Sequence, residues 1–378
     1  MAVGRATAIS PFILAPNVTA SHSTAVILPF PSRYPADETE RRIPDVAAAR
    51  TLAGAAAAPI EALLARRRAE WTALLGPGDA ALLAHTEDAV RLGHARLAVR
   101  HGNLGSDFHA YHNEGHVLEI CGSRIDRLRD TLGLRALALR DWCALMLFGA
   151  CHDLRQREAP QLVDGIGANE RASIDEAQRI LDACGFSREH DADLHAALEL
   201  MIAGSTFDAR PVPGGYHYNA ADLVQSGGAL ASRLDQVLDR RSPGWRQDPL
   251  LVAAQRLALV AADLDTANVA EPFTRFASTA ENLCREREML SGRSLAAGES
   301  ALPVLGFLTD GQDRFFFELH RFQSDAGVAA FGPGKEANAP KLKALCMGVR
   351  ARIAVQGAPQ TGNQVIEAYR ATLADLTV

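Results

Sequence analysis

The sequence predicts an all-α fold, and three observations predict it. Aromatic residues are 6% of the 378 positions while hydrophobic ones reach 48%, so Ala and Leu carry most of the apolar surface, which favours helix over sheet. Apolar residues recur at helical spacing from about Asp45 onward, and strand-type patterns are sparse. Residues 1–45, punctuated by PFILAP, PFPSRYP and RRIP, read as an irregular N-terminal arm. One helical domain follows over 46–290, with helices expected at about 46–74, 78–100, 110–130, 136–152, 170–185, 190–204, 219–240, 248–268 and 272–290. The break at SGRSLAAGESALP opens a C-terminal helical extension, 291–378, expected to pack on the same domain through stretches near 312–329, 338–355 and 361–376. Two polar, Gly-containing interruptions, 154–169 and 207–219, leave apolar helices directly, where rigid scaffolds often present chemistry.

The net charge of -6 and pI of about 6.1 give no basic field for duplex nucleic acid. Six cysteines stand apart without a CxxC pair, as buried reduced thiols do in a cytoplasmic protein. No apolar run is expected to reach the roughly 18 residues of a bilayer span, and the N-terminus lacks a signal-peptide layout. A soluble cytoplasmic protein without a membrane partner is the expectation. GxxxxGK[ST], HExxH and GxSxG are all absent from the sequence, which argues against ATP-driven chemistry, a zincin and an acyl hydrolase.

Three stretches carry chemistry. In AYHNEGH (110–116), a helix would set His112 and His116 one turn apart on one face; a pair of surface histidines is the ordinary alternative. In LMLFGACHD (145–153), an apolar helix runs into His152 and Asp153, whose buried polar groups need satisfying. A metal ion would do so, as would local hydrogen bonds at a helix end. In LVAADLDTAN (259–268), Asp263 lies in apolar context, while Asp265, two positions on, should point elsewhere; a cap is the alternative for Asp263. Taken together, His116, His152, Asp153 and Asp263 make a first shell for Zn, Mn, Fe or Mg.

In this order the motifs resemble the H…HD…D signature of the HD superfamily of metal-dependent phosphohydrolases. YHNEGH and ADLDTAN resemble segments of class I cyclic-nucleotide phosphodiesterases, and NERAS (169–173) resembles an element of small bacterial predicted HD phosphohydrolases; the likeness covers about residues 70–290. The resemblance implies an HD-type helical bundle that hydrolyses a small phosphoester, a nucleotide or cyclic nucleotide, with one or two divalent ions. His116, His152, Asp153 and Asp263 would be ligands, Asp153 bridging if there are two ions. His112 would be the general acid and Glu170 would orient water or His112. Tyr111 and Asn113 would brace the helix beside a substrate surface that also takes in Asn169, Thr206 and Gln323.

The segment between His-Asp and Asn-Glu is shorter than in the cyclic-nucleotide enzymes, and their purine-binding glutamine has no sure counterpart. Gln323 with Phe315, Phe316 and Phe317 is one candidate for a base-binding patch, an apolar helix face the simpler reading. His217 is a loop histidine that could approach substrate, and His109, His195 and His320 receive no role. Two rival functions stand beside the first: a metal-independent HD-like phosphodiesterase acting on a modified protein through His112 and Glu170, and a non-catalytic ligand-binding module. The C-terminal extension either caps the active-site mouth or mediates formation of a homodimer.

Overall fold

A computed structural model describes residues 34–76, 79–156, 167–208 and 228–377. It is 78% helical; the one pairing of extended segments among the described residues joins Phe207–Asp208 to Gly228–Ala229, antiparallel. The chain opens with α1 (Glu38–Arg42), α2 (Val46–Ala53), α3 (Ala58–Trp71) and the long α4 (Asp79–Arg100). An irregular segment leads to α5 (Glu114–Glu119), which passes through a π-helical turn (Ile120–Arg124) into α6 (Ile125–Leu132). Next come α7 (Leu139–Cys151), α8 (Ala168–Ala183), α9 (Ala192–Ser205), α10 (Leu234–Arg241), α11 (Pro249–Asp265) and α12 (Phe273–Leu290). The C-terminal part holds α13 (Ala301–Gly306), α14 (Gln312–Arg314), α15 (Asp325–Gln356) and α16 (Gly362–Asp375).

The centre of the bundle is α7, apolar on every side and buried from Trp142 to Cys151, as a helix surrounded by others must be. It packs on α4, α8, α9 and α11. Two glycines permit the close crossings: a Cβ at Gly93 would lie 2.8 Å from the Ala150 carbonyl oxygen, and one at Gly149 would lie 2.6 Å from Cys121 Sγ. The π-helical turn frees carbonyls, and the buried Arg67 takes them up, donating to Cys121 O at 2.7 Å and Gly122 O at 2.9 Å while paired with Asp126 and Glu70. That turn continues α5, which carries His116, so Arg67 fixes that helix.

Several expectations change. The last part of the arm is ordered: α1 docks through Asp37 and Glu40, whose carboxylates with Glu176 meet Arg96, Arg100, Arg155 and Arg179. Residues 1–33 lie outside the described residues, as does most of the first half of the helix expected at 219–240. One run, Val46–Leu74, does reach the length and mean hydropathy, 1.2, of a bilayer span. It bends at Gly54 (φ 47) and sets Ile60, Leu63, Leu64 and Trp71 into the core. The stretch expected at 312–329 is broken by the non-helical residues 320–324, and its end joins the stretch 338–355 in α15, which runs through Pro333 and Pro340. Burial of Phe331, Leu342, Leu345 and Val349 along one side outweighs the local preference for a break. All six cysteines are free and buried.

Burial also keeps several histidines neutral. His94 and His195 are driven down to about 4, and His320 to about 3, chiefly by loss of solvent. An unfolded imidazole takes up a proton below about 6.5 that these folded rings refuse, so the stability is whole above that pH and is lost as pH falls toward 4. Each ring contributes up to about 3 kcal/mol of that loss. Thermal midpoints measured from pH 7 to pH 4.5 should therefore fall steeply, and His94→Leu should flatten the fall; a slope unchanged by that substitution would contradict the assignment.

Candidate metal centre

Three helix ends meet at one point. α7 finishes at Cys151 with His152 as its C-cap, and the ring of Phe148 lies 4.7 Å from that of His152. The apolar helix thus delivers an imidazole and the Asp153 carboxylate into the interior. α5 begins after Asn113, whose side chain accepts from Gly115 N at 2.8 Å and donates to His109 O at 2.7 Å; its first turn presents His116, buried. Asp265 is the last residue of α11. Arg124, fully buried, donates to Leu264 O at 2.9 Å and to Asp265 O, and pairs with Glu271 and Glu119. A cation capping the carboxyl end of α11 ties that end to the His116 helix.

The donor atoms converge. Asp153 Oδ2 is 2.9 Å from His152 Nε2 and 3.7 Å from His116 Nε2; Asp265 Oδ1 is 3.4 Å from each imidazole. Ligands about 2.1 Å from a common ion sit roughly 3.0 Å apart at an octahedral edge and about 3.4 Å at a tetrahedral one. The observed separations span that range. His152 Nε2 is buried and makes no hydrogen bond despite its near carboxylate. An orphaned nitrogen aimed into a set of carboxylates is what an ion would satisfy, so the residues fit a divalent metal.

The two carboxylates govern the charge on His152. Burial opposes charge on His152, but Asp153 and Asp265 outweigh it and raise the ring to about 10. Burial would raise Asp265, yet His116 and His152 hold it well below the carboxylate range, and Asp153 is lowered likewise by His152 and His112. An incoming ion must displace the His152 proton. Apparent affinity should accordingly rise about tenfold per pH unit from pH 6 to 8, a slope that calorimetric titration with Mn²⁺ can read; a flat profile would contradict it.

Around the donors lies a supporting set. Asp153 Oδ1 accepts from Gln156 Nε2 at 2.9 Å, and Gln156 Oε1 accepts from Asn169 Nδ2 at 2.6 Å. Asn169 therefore acts through Gln156. Glu170, half-buried, is pushed up to about 7 by burial beside Asp153 and Asp265. Tyr111 packs its ring 4.5 Å from that of His116 and 4.8 Å from that of His112, with its phenol beside Arg124; it and Asn113 brace the histidine segment.

His112 stands before α5, not on it, so it does not share a helical face with His116. It is held instead by Glu286 of α12: Nδ1 donates to Oε1 at 2.5 Å, and the backbone N–H groups of Tyr111 and His112 donate to Oε2 at 2.9 and 3.0 Å. Its Nε2 is left 4.0 Å from Asp153 Oδ2. Burial disfavours the charged ring, but Glu286 and Asp153 prevail and raise it to about 9. Glu286 is 3% exposed and strongly lowered by His112. It is absent from the sequence expectations; in ENLCREREML three similar glutamates, 281, 286 and 288, offer no signal for which one turns inward.

Asp263 is a correction. Its carboxylate does point inward, at 0% exposure, but the neighbour it meets is the N-terminus of α15. Oδ1 accepts from Gln323 N at 2.6 Å; Oδ2 accepts from Ser324 N at 2.8 Å and Ser324 Oγ at 2.6 Å. Gly327 packs so tightly there that a Cβ would lie 2.0 Å from Asp263 Oδ2. With its oxygens engaged, Asp263 is a clamp on the C-terminal extension, and Asp265, about 200° further round the helix, joins the cluster in its place. Gln323 goes with Asp263: its amide donates to Arg321 O. Thr206 is buried against Gly167 at the start of α8, and the hydroxyl of Ser205 donates to Ile202 O. Phe316 is core, and Phe315 meets Phe207 and His320 edge-on. His217 lies outside the described residues.

No family model, curated protein or solved structure matches the chain.

Proposed function

We propose that the chain is a divalent-ion-dependent phosphohydrolase of the HD type, acting on a small phosphoester such as a nucleotide or cyclic nucleotide. The observation that carries this reading is the convergence of His116, His152, Asp153 and Asp265 on one point with a protonated, tethered His112 beside it. A divalent ion held there by His116, His152, Asp153 and Asp265 would activate water near neutral pH and offset charge on phosphoryl oxygens. The chain's own residues do the rest. His112 enters as the imidazolium; Glu286 fixes its Nδ1–H, so Nε2–H is the proton offered to the leaving oxygen. As the ring gives up that proton, Glu286 keeps the tautomer and orientation required for the next cycle. Glu170, whose carboxyl burial pushes up to about 7, orients the attacking water. Gln156 holds Asp153 so that only Oδ2 faces the cluster.

Protein purified without chelator, assayed on bis(4-nitrophenyl) phosphate and on a panel of nucleotides and cyclic nucleotides, tests the proposal. Turnover should vanish with EDTA and return with Mn²⁺ or Zn²⁺. Turnover indifferent to chelation would favour metal-free chemistry by His112 and Glu170, and a metal-loaded protein inert on every phosphoester would leave a binding module.

A further inference from the structure

Between α4 and α5 the chain folds back on itself. His109 N donates to His101 O at 2.9 Å, Leu104 N to Ala98 O at 3.0 Å, and Asn103 N to Glu114 Oε1 at 3.0 Å. The fold brings two imidazoles together, with ring centres 3.9 Å apart and planes tilted by 33°. His101 is 3% exposed and His109 0%, yet none of their four ring nitrogens makes a hydrogen bond. A buried imidazole ordinarily finds a partner for both nitrogens, so a pair with none points to a missing ligand.

The remaining geometry says which. Asp107 Oδ2 lies 3.5 Å from His101 Nδ1 and 3.4 Å from His109 Nε2. These contacts are too poorly aligned for hydrogen bonds but match the edge, about 3.4 Å, of a tetrahedron whose bonds are about 2.1 Å. Glu286 Oε1 stands 3.4 Å behind His109 Nδ1, where an outer carboxylate orients a ligating ring and leaves Nε2 as the donor. Asp107 is 50% exposed, leaving an entry path and a fourth position for water. Two imidazoles and one carboxylate with an open position suit zinc.

We propose that His101, Asp107 and His109 bind a second divalent ion, Zn²⁺, at a site separate from the cluster at His152. The two sites share an outer partner, since Glu286 Oε1 lies near both His109 Nδ1 and His112 Nδ1. The ion thereby pins the segment 101–113, which carries His112, without touching the reacting atoms.

The test is zinc stoichiometry by mass spectrometry on full-length protein stripped with chelator, reloaded with Zn²⁺ and desalted. Wild type should hold two equivalents and His152→Ala/Asp265→Ala one. Asp107→Asn and His101→Gln should each remove one equivalent, or weaken the tighter-resolved step at least about tenfold, in both backgrounds. Asp107 is at the surface, so its variant should keep the circular-dichroism spectrum of the parent. Should His152→Ala/Asp265→Ala unfold, the loss is read in the wild-type background alone. If Asp107→Asn and His101→Gln both retain the parent's zinc, the site is refuted. Failure of the phosphohydrolase reading would appear differently, as absent turnover with this zinc still bound.

Discussion

Asp265→Ala should lose one equivalent of divalent ion and lower kcat/KM by on the order of 10³-fold or more, because several kcal/mol of charge stabilisation leave with the ion. Asp263→Ala, two residues away, should keep the ion and its turnover per folded molecule. Its effect is on stability. Removing a carboxylate that accepts from Gln323 N, Ser324 N and Ser324 Oγ strands buried donors at the start of α15 and costs about 3 kcal/mol. Gly327→Ala should mimic it, since a methyl there collides with the same carboxylate. Metal content, turnover and urea midpoints on the two aspartate variants separate these roles. Reversed results, with ion loss at 263 and retention at 265, would restore the sequence expectation and contradict the structure.

His112→Gln should retain the ion and lose about 10²–10⁴-fold in kcat, the usual worth of a general acid. Glu286→Gln should reproduce part of that loss and do something a merely structural change would not. With Glu286 neutral, burial again dominates His112 and its pKa falls toward or below the ordinary 6.5. The imidazolium is then present only at lower pH, so the basic limb of the kcat profile should move acidward by more than one unit. An unshifted profile would remove Glu286 from the proton path. If His112→Gln empties the cluster of metal, His112 is a ligand and not the acid.

Much of the scaffold was legible from periodicity. α7 read as a buried helix because its apolar residues run without a polar face, and His152–Asp153 stood out because a titratable pair follows it. His116 was legible from its spacing to His112 in AYHNEGH. Asp263 misled because apolar context does predict an inward carboxylate, and it is inward; the sequence does not show that α15 waits there with three donors. Recognising Asp265 needed the rotation of α11 relative to α5, which long-range contacts such as Arg124 on Leu264 O set. His112 was placed on the helix because Asn113 was not read as the cap that starts it. Glu286, 174 positions from His112, has no local mark at all, since its partner is chosen by the packing of α12. Likewise the gap left between the stretches ending at 329 and starting at 338, which holds Pro333, is helix because tertiary burial along α15 overrides the local cost.

The most direct measurement is anomalous diffraction from crystals of the chain grown with Mn²⁺ or Zn²⁺. A peak should lie between His116 Nε2, His152 Nε2, Asp153 Oδ2 and Asp265 Oδ1, about 2.0–2.3 Å from each, with Asp263 still on the α15 cap. Well-ordered crystals from saturating metal that show those four side chains with no anomalous density among them would contradict the metal centre, and the phosphohydrolase built on it.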